Sequence, residues 1–284
     1  MEELRGKAVA DNLHVEIAKQ TEKLKAKGIT PKLAVVRVGA REDDLAYERG
    51  ILKTFANNNV DVIVKELPLD VDQETLDKEV KTLNEDPSVN GILMFRPLPK
   101  HLTDENIKSF IDPGKDVDVM GYGNMAGLFA GDKDAYAPCT AQAVMEILNF
   151  YGIETKGKNV TVIGRSLVIG KPVTLLLIGA NATVTVCHTK TRDIKEECRR
   201  ADIIVAAAGV AKMVTKDYVR PGQVIIDVGM NVDENGKLCG DVDFDEVSQI
   251  VDKITPVPGG VGAVTTSVLM KYTVNNAVKM NPDD

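Results

Sequence analysis

Short apolar runs alternate with amphipathic stretches along the whole chain, and this alternation predicts its architecture. In the first half the apolar runs are 32–38, 60–67 and 91–95. The amphipathic stretches that follow them lie near 43–57, 72–86 and 103–111. Apolar runs this short fit buried parallel strands. The first 120 residues therefore predict three β-α units, with Thr103 and Asp104 as candidate N-caps of the third helix.

A second alternation begins at residue 159, and a Gly- and Asp-rich segment separates it from the first. That segment, 112–138, has weak periodicity and is interpreted as a linker or functional loop. A helix over 140–152 follows, with Gly152 as its C-terminal stop. The later apolar runs are 159–164, 182–188, 202–209 and 223–229, followed by a Pro- and Gly-rich segment at 253–262 and a closing helix from about 264.

Two α/β domains are the economical interpretation of this pattern. The first is predicted to comprise residues 1–139 together with the closing helix, about 265–284. The second is predicted to comprise residues 140–264.

Composition and charge narrow the possible functions. A formal net charge of -7 argues against a nucleic-acid or anionic-membrane partner. The acidic N-terminus and the absence of a long apolar run predict a soluble cytoplasmic protein. The four cysteines are dispersed, which argues against a disulfide framework or a metal site. The three histidines are dispersed as well, which argues against a metal site or a histidine-based triad. We therefore expect no resident metal, and chemistry that depends on a borrowed cofactor.

The segment VTVIGRSLVIGKP, residues 160–172, is typical of a strand that passes into a helix through a glycine turn. Gly164 follows the apolar run and Gly170 opens the helix, where Pro172 suits the first turn. Glycines here would let backbone amides approach a pyrophosphate at the positive end of the helix. The spacing is not the usual G-x-G-x-x-G, however, and a tight β-α connection without a ligand would look the same.

The next strand bears on the type of cofactor. NAD-binding versions carry an acidic residue about 20 residues further on, where it binds the ribose hydroxyls. Here the strand ends in CHTKTRD, and Thr189, Lys190 and Arg192 precede any carboxylate, while Arg165 lies in the turn itself. Cations and hydroxyls suit a 2′-phosphate, so the sequence favours NADP over NAD. Surface lysines on a solvated loop would explain Lys190 as well, but explain Arg165 less easily.

The segment TPVPGGVGAVTT, residues 255–266, is too specific for a generic loop. Together with GRSLVIGKP, CHTKT, PCTAQ (138–142), RPLPKH (96–101) and KDVD (115–118), it resembles the methylenetetrahydrofolate dehydrogenase/cyclohydrolase family. The resemblance covers essentially the whole chain, in order and with matching spacing.

The resemblance implies a folate-facing N-terminal α/β domain and a Rossmann-type NADP-binding domain with a cleft between them. It also implies a homodimer that takes a tetrahydrofolate one-carbon substrate. Carried over by position, the cofactor residues are Gly164, Arg165, Ser166, Thr189, Met230, Gly259 and Gly260. The substrate-binding residues are Tyr47, Pro97, Leu98, Asp118, Pro258 and Gly262. Among these, the resemblance assigns Tyr47 to stack on the pterin and Asp118 to accept hydrogen bonds from its amino groups, and these two are the candidate catalytic residues.

The sequence departs from the family at two positions of the folate site. The family pattern has Tyr-x-x-x-Lys on the second helix and a Gln in QLPLP, where this chain has Ile51 and Phe95. Lys53 is no easy substitute, because two residues along a helix correspond to about 200° of rotation. In the family the lysine helps water to add to the methenyl carbon and the glutamine tunes that lysine. We therefore expect a dehydrogenase whose cyclohydrolase activity is weak or lost.

Three alternatives stay open at this point. The dual activity of the family could persist through water or another group. The chain could be a binding or regulatory protein that kept the fold and lost catalysis. A related pterin carrier, such as a methanopterin, could replace folate. The segment DVDVMGYGN, 116–124, also differs from the family in the residues after the second Asp, which puts the shape of the folate pocket in question.

Overall fold

The computed structural model describes residues 1–282. Its strands are β1 (Glu2–Glu3), β2 (Lys32–Val38), β3 (Asp61–Leu67), β4 (Gly91–Met94), β5 (Asn159–Ile163), β6 (Thr183–Cys187), β7 (Ile203–Ala206), β8 (Val224–Asp227), β9 (Asn231–Val232), β10 (Leu238–Cys239) and β11 (Lys253–Ile254). Its α-helices are α1 (Gly6–Ala26), α2 (Glu42–Ala56), α3 (Gln73–Glu85), α4 (Glu105–Phe110), α5 (Tyr122–Ala130), α6 (Cys139–Phe150), α7 (Gly170–Gly179), α8 (Ile194–Arg200), α9 (Phe244–Val247) and α10 (Gly262–Met280), with a short 3₁₀ helix at Lys216–Tyr218.

The chain divides into two compact units. The first unit comprises Asn12–Cys139 and the chain from Thr266 onward, and the second unit comprises Met1–Asp11 and Thr140–Thr265. Residues 1–11 were predicted to belong with 12–139 but group with the second unit, because β1 pairs in parallel with β11. Residues 283 and 284, which the predicted closing helix included, lie outside the described residues.

The first unit contains a three-stranded parallel sheet in the order β3-β2-β4. Six of the seven residues of the central strand β2 are buried, as expected for a parallel strand that is covered on both faces. Helix α3 begins after Asp72, whose carboxylate accepts a hydrogen bond from the Thr75 amide. It buries Leu76, Val80 and Leu83, at the spacing that places them on one face of a helix.

The second unit contains a six-stranded parallel sheet in the order β1-β11-β8-β7-β5-β6. Strand β5 pairs with β6 on one side and with β7 on the other. The chain therefore changes direction across the sheet at the carboxyl end of β5. In open parallel sheets, ligands bind at such a switch point. The glycine turn of the sequence follows directly from this end of β5.

The predicted fold class, two α/β domains with parallel sheets, is confirmed, and the differences are local. Helix α5 lies inside the segment interpreted as a loop, because tertiary contacts fix it. The side-chain amide of its buried Asn124 donates to the carbonyls of Pro113 and Asp116. The antiparallel pair β9–β10 was not predicted either.

The predicted capping of the third helix is only partly correct. Asp104 occupies the N-cap position of α4, but its carboxylate does not cap the helix and pairs with the Lys108 ammonium at 2.7 Å. The Thr103 hydroxyl oxygen accepts a long hydrogen bond, 3.3 Å, from the Glu105 amide.

Across residues 1–282, no helix combines the length and apolar character that a membrane span requires. Over the same residues, no three His, Cys, Asp or Glu side chains come together in a group able to hold a metal ion.

Candidate functional site

In the glycine turn after β5, backbone segments pack so closely that no side chain fits between them. Gly164 has a φ of +123°, and a Cβ on it would lie 2.1 Å from the Ala207 carbonyl oxygen. A Cβ on Gly170 would lie 2.3 Å from the Gly164 carbonyl oxygen. Both positions therefore exclude any side chain, and the close approach places the beginning of α7 beside the carboxyl end of β5.

Ser166 stabilises the beginning of α7. Its hydroxyl oxygen accepts hydrogen bonds from the amides of Ile169, at 3.1 Å, and Gly170, at 3.4 Å. Since a hydroxyl also has one proton to donate, Ser166 can still offer that proton to an anion at the same place. Pro172 is buried in the first turn of the helix, as the sequence predicted.

A cavity of about 410 Å³ lies beside this turn, a volume in the usual range for small-molecule and cofactor sites. Its lining residues are Ile163, Gly164, Arg165, Ser166, His188, Thr189, Thr191, Ile194, Ala207, Ala208, Val210, Met213 and Tyr218. Four of the seven predicted cofactor residues are among them. The other three, Met230, Gly259 and Gly260, belong to the second unit but are not part of this lining.

The turn after β6 is held by its own polar groups. The His188 amide donates to the Thr191 hydroxyl oxygen, and the Thr191 amide donates to the His188 carbonyl, both at 2.8 Å. The Lys190 amide donates to Nδ1 of His188 at 3.1 Å, so in the neutral ring the proton is on Nε2. This closed turn fixes Thr189 at the cavity, on whose lining Arg165 also lies.

The Pro- and Gly-rich segment after β11 also requires its glycines. Gly259 has a φ of +102°, and a Cβ on Gly260 would lie 2.5 Å from the Pro256 carbonyl oxygen. A Cβ on Gly262 would lie 3.3 Å from Cε of Met230, so these two predicted residues are neighbours. The Met230 side chain is largely exposed.

Asp241, which the sequence analysis did not single out, organises the loop after β7. Its carboxylate accepts hydrogen bonds from the amides of Ala208, Gly209 and Val210, at 2.5–3.0 Å, and from Nδ2 of Asn231, at 2.9 Å. Two of the loop residues that it holds line the cavity. The sequence signal for this role is weak, because an aspartate in a loop usually lies on the surface.

Asp227, at the end of β8, is a second buried carboxylate beside this network. It accepts hydrogen bonds from the amides of Gly229, Asp241 and Val242. Burial raises the pKa of Asp227 to about 7, against the hydrogen bonds from these amides, and the Asp241 carboxylate raises it further. A Cβ on Gly240 would collide with the Asp227 carboxylate, so that glycine is required for its approach.

In the first unit, the predicted folate residues Tyr47 and Phe95 are in contact. Their rings stack with 5.6 Å between centroids and 28° between planes. Ile51 lies one turn further along α2 and is fully buried, and Phe95 is buried as well. Burial raises the pKa of the Tyr47 hydroxyl, and a hydrogen bond with Thr266 opposes that shift.

Asp118 forms an ion pair that the sequence analysis did not anticipate. Nη2 of Arg96 lies 3.1 Å from Oδ2 of Asp118, and both side chains are 27% exposed. Burial raises the pKa of Asp118 to about 6, Arg96 lowers it, and the neighbouring Asp116 raises it. The available signal was the arginine in FRPLP, where the family pattern QLPLP has leucine.

The other predicted substrate residues are distributed over both units. Pro97 is exposed, while Leu98 packs against the hydrophobic core of the first unit. Pro258 and Gly262 belong to the second unit.

Cys139 is a buried thiol in the first unit. It donates to the Val117 carbonyl at 3.2 Å, and burial raises its pKa well above the usual value. These features describe a packed thiol and not a nucleophile.

The glycine turn, the helix α7 that begins after it and the cavity at the switch point define the second unit as a dinucleotide-binding domain. The molecule is therefore of the class of two-domain α/β proteins in which one domain binds a nucleotide cofactor.

Comparison with known families identifies the class more narrowly. Residues 4–118 match the family described as "Tetrahydrofolate dehydrogenase/cyclohydrolase, catalytic domain". Residues 138–281 match "Tetrahydrofolate dehydrogenase/cyclohydrolase, NAD(P)-binding domain". The chain belongs to the tetrahydrofolate dehydrogenase/cyclohydrolase family, and the resemblance stated from its motifs is confirmed.

Individual relatives agree with this assignment. The "Bifunctional protein FolD" of Carboxydothermus hydrogenoformans is 54% identical over 282 residues, which cover 99% of this chain and 98% of the relative. The crystal structure of the bifunctional enzyme FolD, methylenetetrahydrofolate dehydrogenase/cyclohydrolase, from Campylobacter jejuni superposes with a TM-score of 0.95 at 39% identity, covering 98% of this chain and 99% of the other.

A third relative bears on the cofactor. The methylenetetrahydrofolate dehydrogenase-cyclohydrolase (FolD) of Trypanosoma brucei, solved with NADP and an inhibitor, has a TM-score of 0.90 and 38% identity, covering 97% of this chain and 96% of the other. With the matched NAD(P)-binding domain, it confirms the predicted type of cofactor, NADP, at the level of the family.

Proposed function

We propose that this protein is an NADP-dependent 5,10-methylenetetrahydrofolate dehydrogenase that forms 5,10-methenyltetrahydrofolate and has weak or no cyclohydrolase activity. The observation that carries the second half of this proposal is the pair Ile51 and Phe95. Both are buried, and they stand where the family pattern has lysine and glutamine.

The dehydrogenase half needs mainly orientation of the donor and acceptor carbons. Bound NADP supplies the hydride acceptor. Gly164, Arg165 and Ser166 of the glycine turn line the cavity, and this supports binding of the pyrophosphate beside the turn, where the backbone can approach a phosphate closely. Tyr47 offers a ring face to the pterin, and Asp118 offers a carboxylate to its amino groups.

The cyclohydrolase reaction needs a group that assists the addition of water to the methenyl carbon. An amine can do this near neutral pH only if its surroundings lower its pKa. An isoleucine cannot accept a proton, and the apolar Phe95 ring supplies no hydrogen bond to an amine. The cation nearest to these positions in sequence, Arg96, is engaged with Asp118. A guanidinium stays protonated in proteins, so it cannot serve as the base.

The choice of NADP over NAD in this chain rests on the chemistry around the cavity. Arg165 and Thr189 line it, and the turn that carries Thr189 presents no carboxylate before Asp193. A ribose 2′-phosphate finds a cation and a hydroxyl there, whereas a carboxylate would repel it.

A second candidate function is the full bifunctional activity, with 10-formyltetrahydrofolate as the product. The names of the relatives favour it, because the Carboxydothermus protein at 54% identity is called bifunctional. The two candidates differ only in the hydrolytic step, so one experiment separates them.

That experiment follows NADPH formation and methenyl-folate decay at two wavelengths in one cuvette. The proposal expects NADPH to form at a rate proportional to enzyme, and methenyl-folate to accumulate and then decay at the rate of an enzyme-free control. Decay that rises in proportion to enzyme would establish the bifunctional activity instead. Failure to form NADPH from methylene-folate would overturn the proposed dehydrogenase.

We also propose that the protein is a homodimer. Strand β6 is an edge of the six-stranded sheet, its sequence TVTVC is rich in β-branched residues, and Val186 on it is exposed. An edge strand of this kind is a template for pairing with another chain. Light scattering during size-exclusion chromatography should give about twice the chain mass of 30.8 kDa, and a monomer at micromolar concentration would reject this assignment.

A further inference from the structure

Arg96 is the charged group that the structure places against the candidate pterin-binding carboxylate. It stands where the family pattern QLPLP has leucine, directly after Phe95 in the chain. Its ion pair with Asp118 is 3.1 Å long, and both side chains keep about a quarter of their surface exposed. A leucine at this position could make no such pair, so the substitution changes the chemistry of the site itself.

We propose that Arg96 is a substrate-binding residue that recognises the pterin carbonyl, next to the amino groups that Asp118 would bind. This inference rests on the proposed function. The edge of a pterin presents an amino group and a ring N–H beside a carbonyl oxygen. The Asp118 carboxylate would accept hydrogen bonds from the amino group and the ring N–H, and the Arg96 guanidinium beside it would donate one to the carbonyl oxygen. The guanidinium has five N–H donors, and its bond to Asp118 uses one of them.

The surroundings of Asp118 make Arg96 its counter-ion. The Asp116 carboxylate accepts hydrogen bonds from the amides of Met120 and Gly121, at 3.0 and 2.8 Å. Asp116 is therefore bonded to the backbone that follows it in the chain. Tyr47 and the Cys139 thiol are the other titratable groups near Asp118, and burial raises the pKa of both. Arg96 is therefore the group that favours the ionised, accepting form of Asp118.

The test compares Arg96→Leu, which restores the family residue, with Arg96→Lys, which keeps a cation but loses the planar fork. Binding of tetrahydrofolate and of its 4-amino-4-deoxy analogue is measured by calorimetry with each protein. The analogue has an amino group in place of the carbonyl, so it sets a donor against the donor of Arg96. Its neighbouring ring nitrogen also lacks the hydrogen that Asp118 would accept, but this loss is the same in every variant, so the difference between variants reports on Arg96.

We expect the wild type to prefer tetrahydrofolate by roughly 10-fold or more, the range of a hydrogen bond to a charged group. Arg96→Leu should reduce this preference by roughly 10-fold, Arg96→Lys should reduce it less, and the affinity for NADP should not change in either variant. If Arg96→Leu keeps the preference within about twofold, the proposal is wrong.

Calorimetry also separates this proposal from the proposed function, because binding needs no turnover. A wild type that binds neither pterin contradicts the folate assignment as a whole. A wild type that binds both without preference contradicts the role of Arg96 alone. Should Arg96→Leu fail to fold, Arg96→Met, which is longer and likewise carries no hydrogen-bond donor, gives the same comparison.

Discussion

The ring of Tyr47 lies against the ring of Phe95, with 5.6 Å between their centroids. An aromatic side chain therefore occupies the position at which the family pattern has a glutamine, and it covers one face of the residue expected to meet the pterin. Together with the fully buried Ile51, this contact makes the site apolar where the family has an amine and an amide.

The double substitution Ile51→Lys with Phe95→Gln should raise the cyclohydrolase rate by about 10-fold or more, because a positioned general base typically contributes at least that much. The rate is measured as methenyl-folate decay above the spontaneous rate. The matched control is Ile51→Met with Phe95→Leu, which keeps both positions apolar and should gain nothing. An equal gain in the two variants would contradict the roles assigned to these positions.

The dehydrogenase should lose kcat/KM for methylene-folate as the pH falls through about 6, the pKa to which burial raises Asp118. The carboxylate that accepts hydrogen bonds is present above that pH and protonated below it. Asp118→Asn should lower kcat/KM by roughly 10-fold or more and remove this acid limb. The control, Asp132→Asn at an exposed position, should retain the wild-type dependence of kcat/KM on pH. If Asp118→Asn still loses activity below about pH 6, a group other than Asp118 causes that loss.

Gly164→Ala should destabilise the second unit by roughly 2 kcal/mol or more, since it combines a positive φ with a contact of 2.1 Å to a backbone oxygen. Its affinity for NADP should fall as well. Gly179→Ala is the matched control, because a Cβ there meets nothing within 4 Å and the residue is in helix α7. Thermal unfolding should show a loss for the first variant and little change or a small gain for the second.

Arg165→Leu should raise the KM for NADP by about 10- to 100-fold and leave the KM for NAD nearly unchanged, because only NADP has the phosphate that the guanidinium would meet. Steady-state rates with both cofactors test this directly. Lys156→Ala removes an exposed cation of the same unit outside the cavity lining and should alter neither constant. A parallel rise for NAD and NADP would point to general damage of the turn.

Asp241→Asn should lower the free energy of unfolding by about 1–3 kcal/mol, since an amide carries one acceptor oxygen for four donors. The KM for NADP should rise because the loop after β7 lines the cavity. Denaturant titration and cofactor kinetics measure the two effects. Asp245→Asn, at an exposed position of α9, is the control and should show neither.

The sequence predicted the elements whose signals are local. The apolar run 32–38 corresponds to β2 with the same bounds, and the turn between Gly164 and Gly170 follows its strand as expected. Periodicity and turn residues suffice there, because each is determined by a few neighbouring residues.

The features that the sequence did not predict depend on residues far apart in the chain. Helix α5 is fixed by Asn124 and two carbonyls outside the helix, and its Gly-rich sequence has little periodicity of its own. The pair of Arg96 and Asp118 joins residues 22 positions apart, and only the folded sheet brings them together. The four donors of Asp241 come from the loop after β7 and from strand β9, and no local pattern describes this arrangement.

Strand β1 completes the six-stranded sheet by pairing Glu2 with Lys253, two residues that are 251 positions apart. Because synthesis runs from the amino end, β1 has no partner strand until Lys253 has been added, 251 residues after Glu2. Strands β5 to β8 precede β11 in the chain and can pair with one another before this edge forms. A fusion or tag attached ahead of Glu2 would accordingly act on the last stage of assembly of the nucleotide-binding unit.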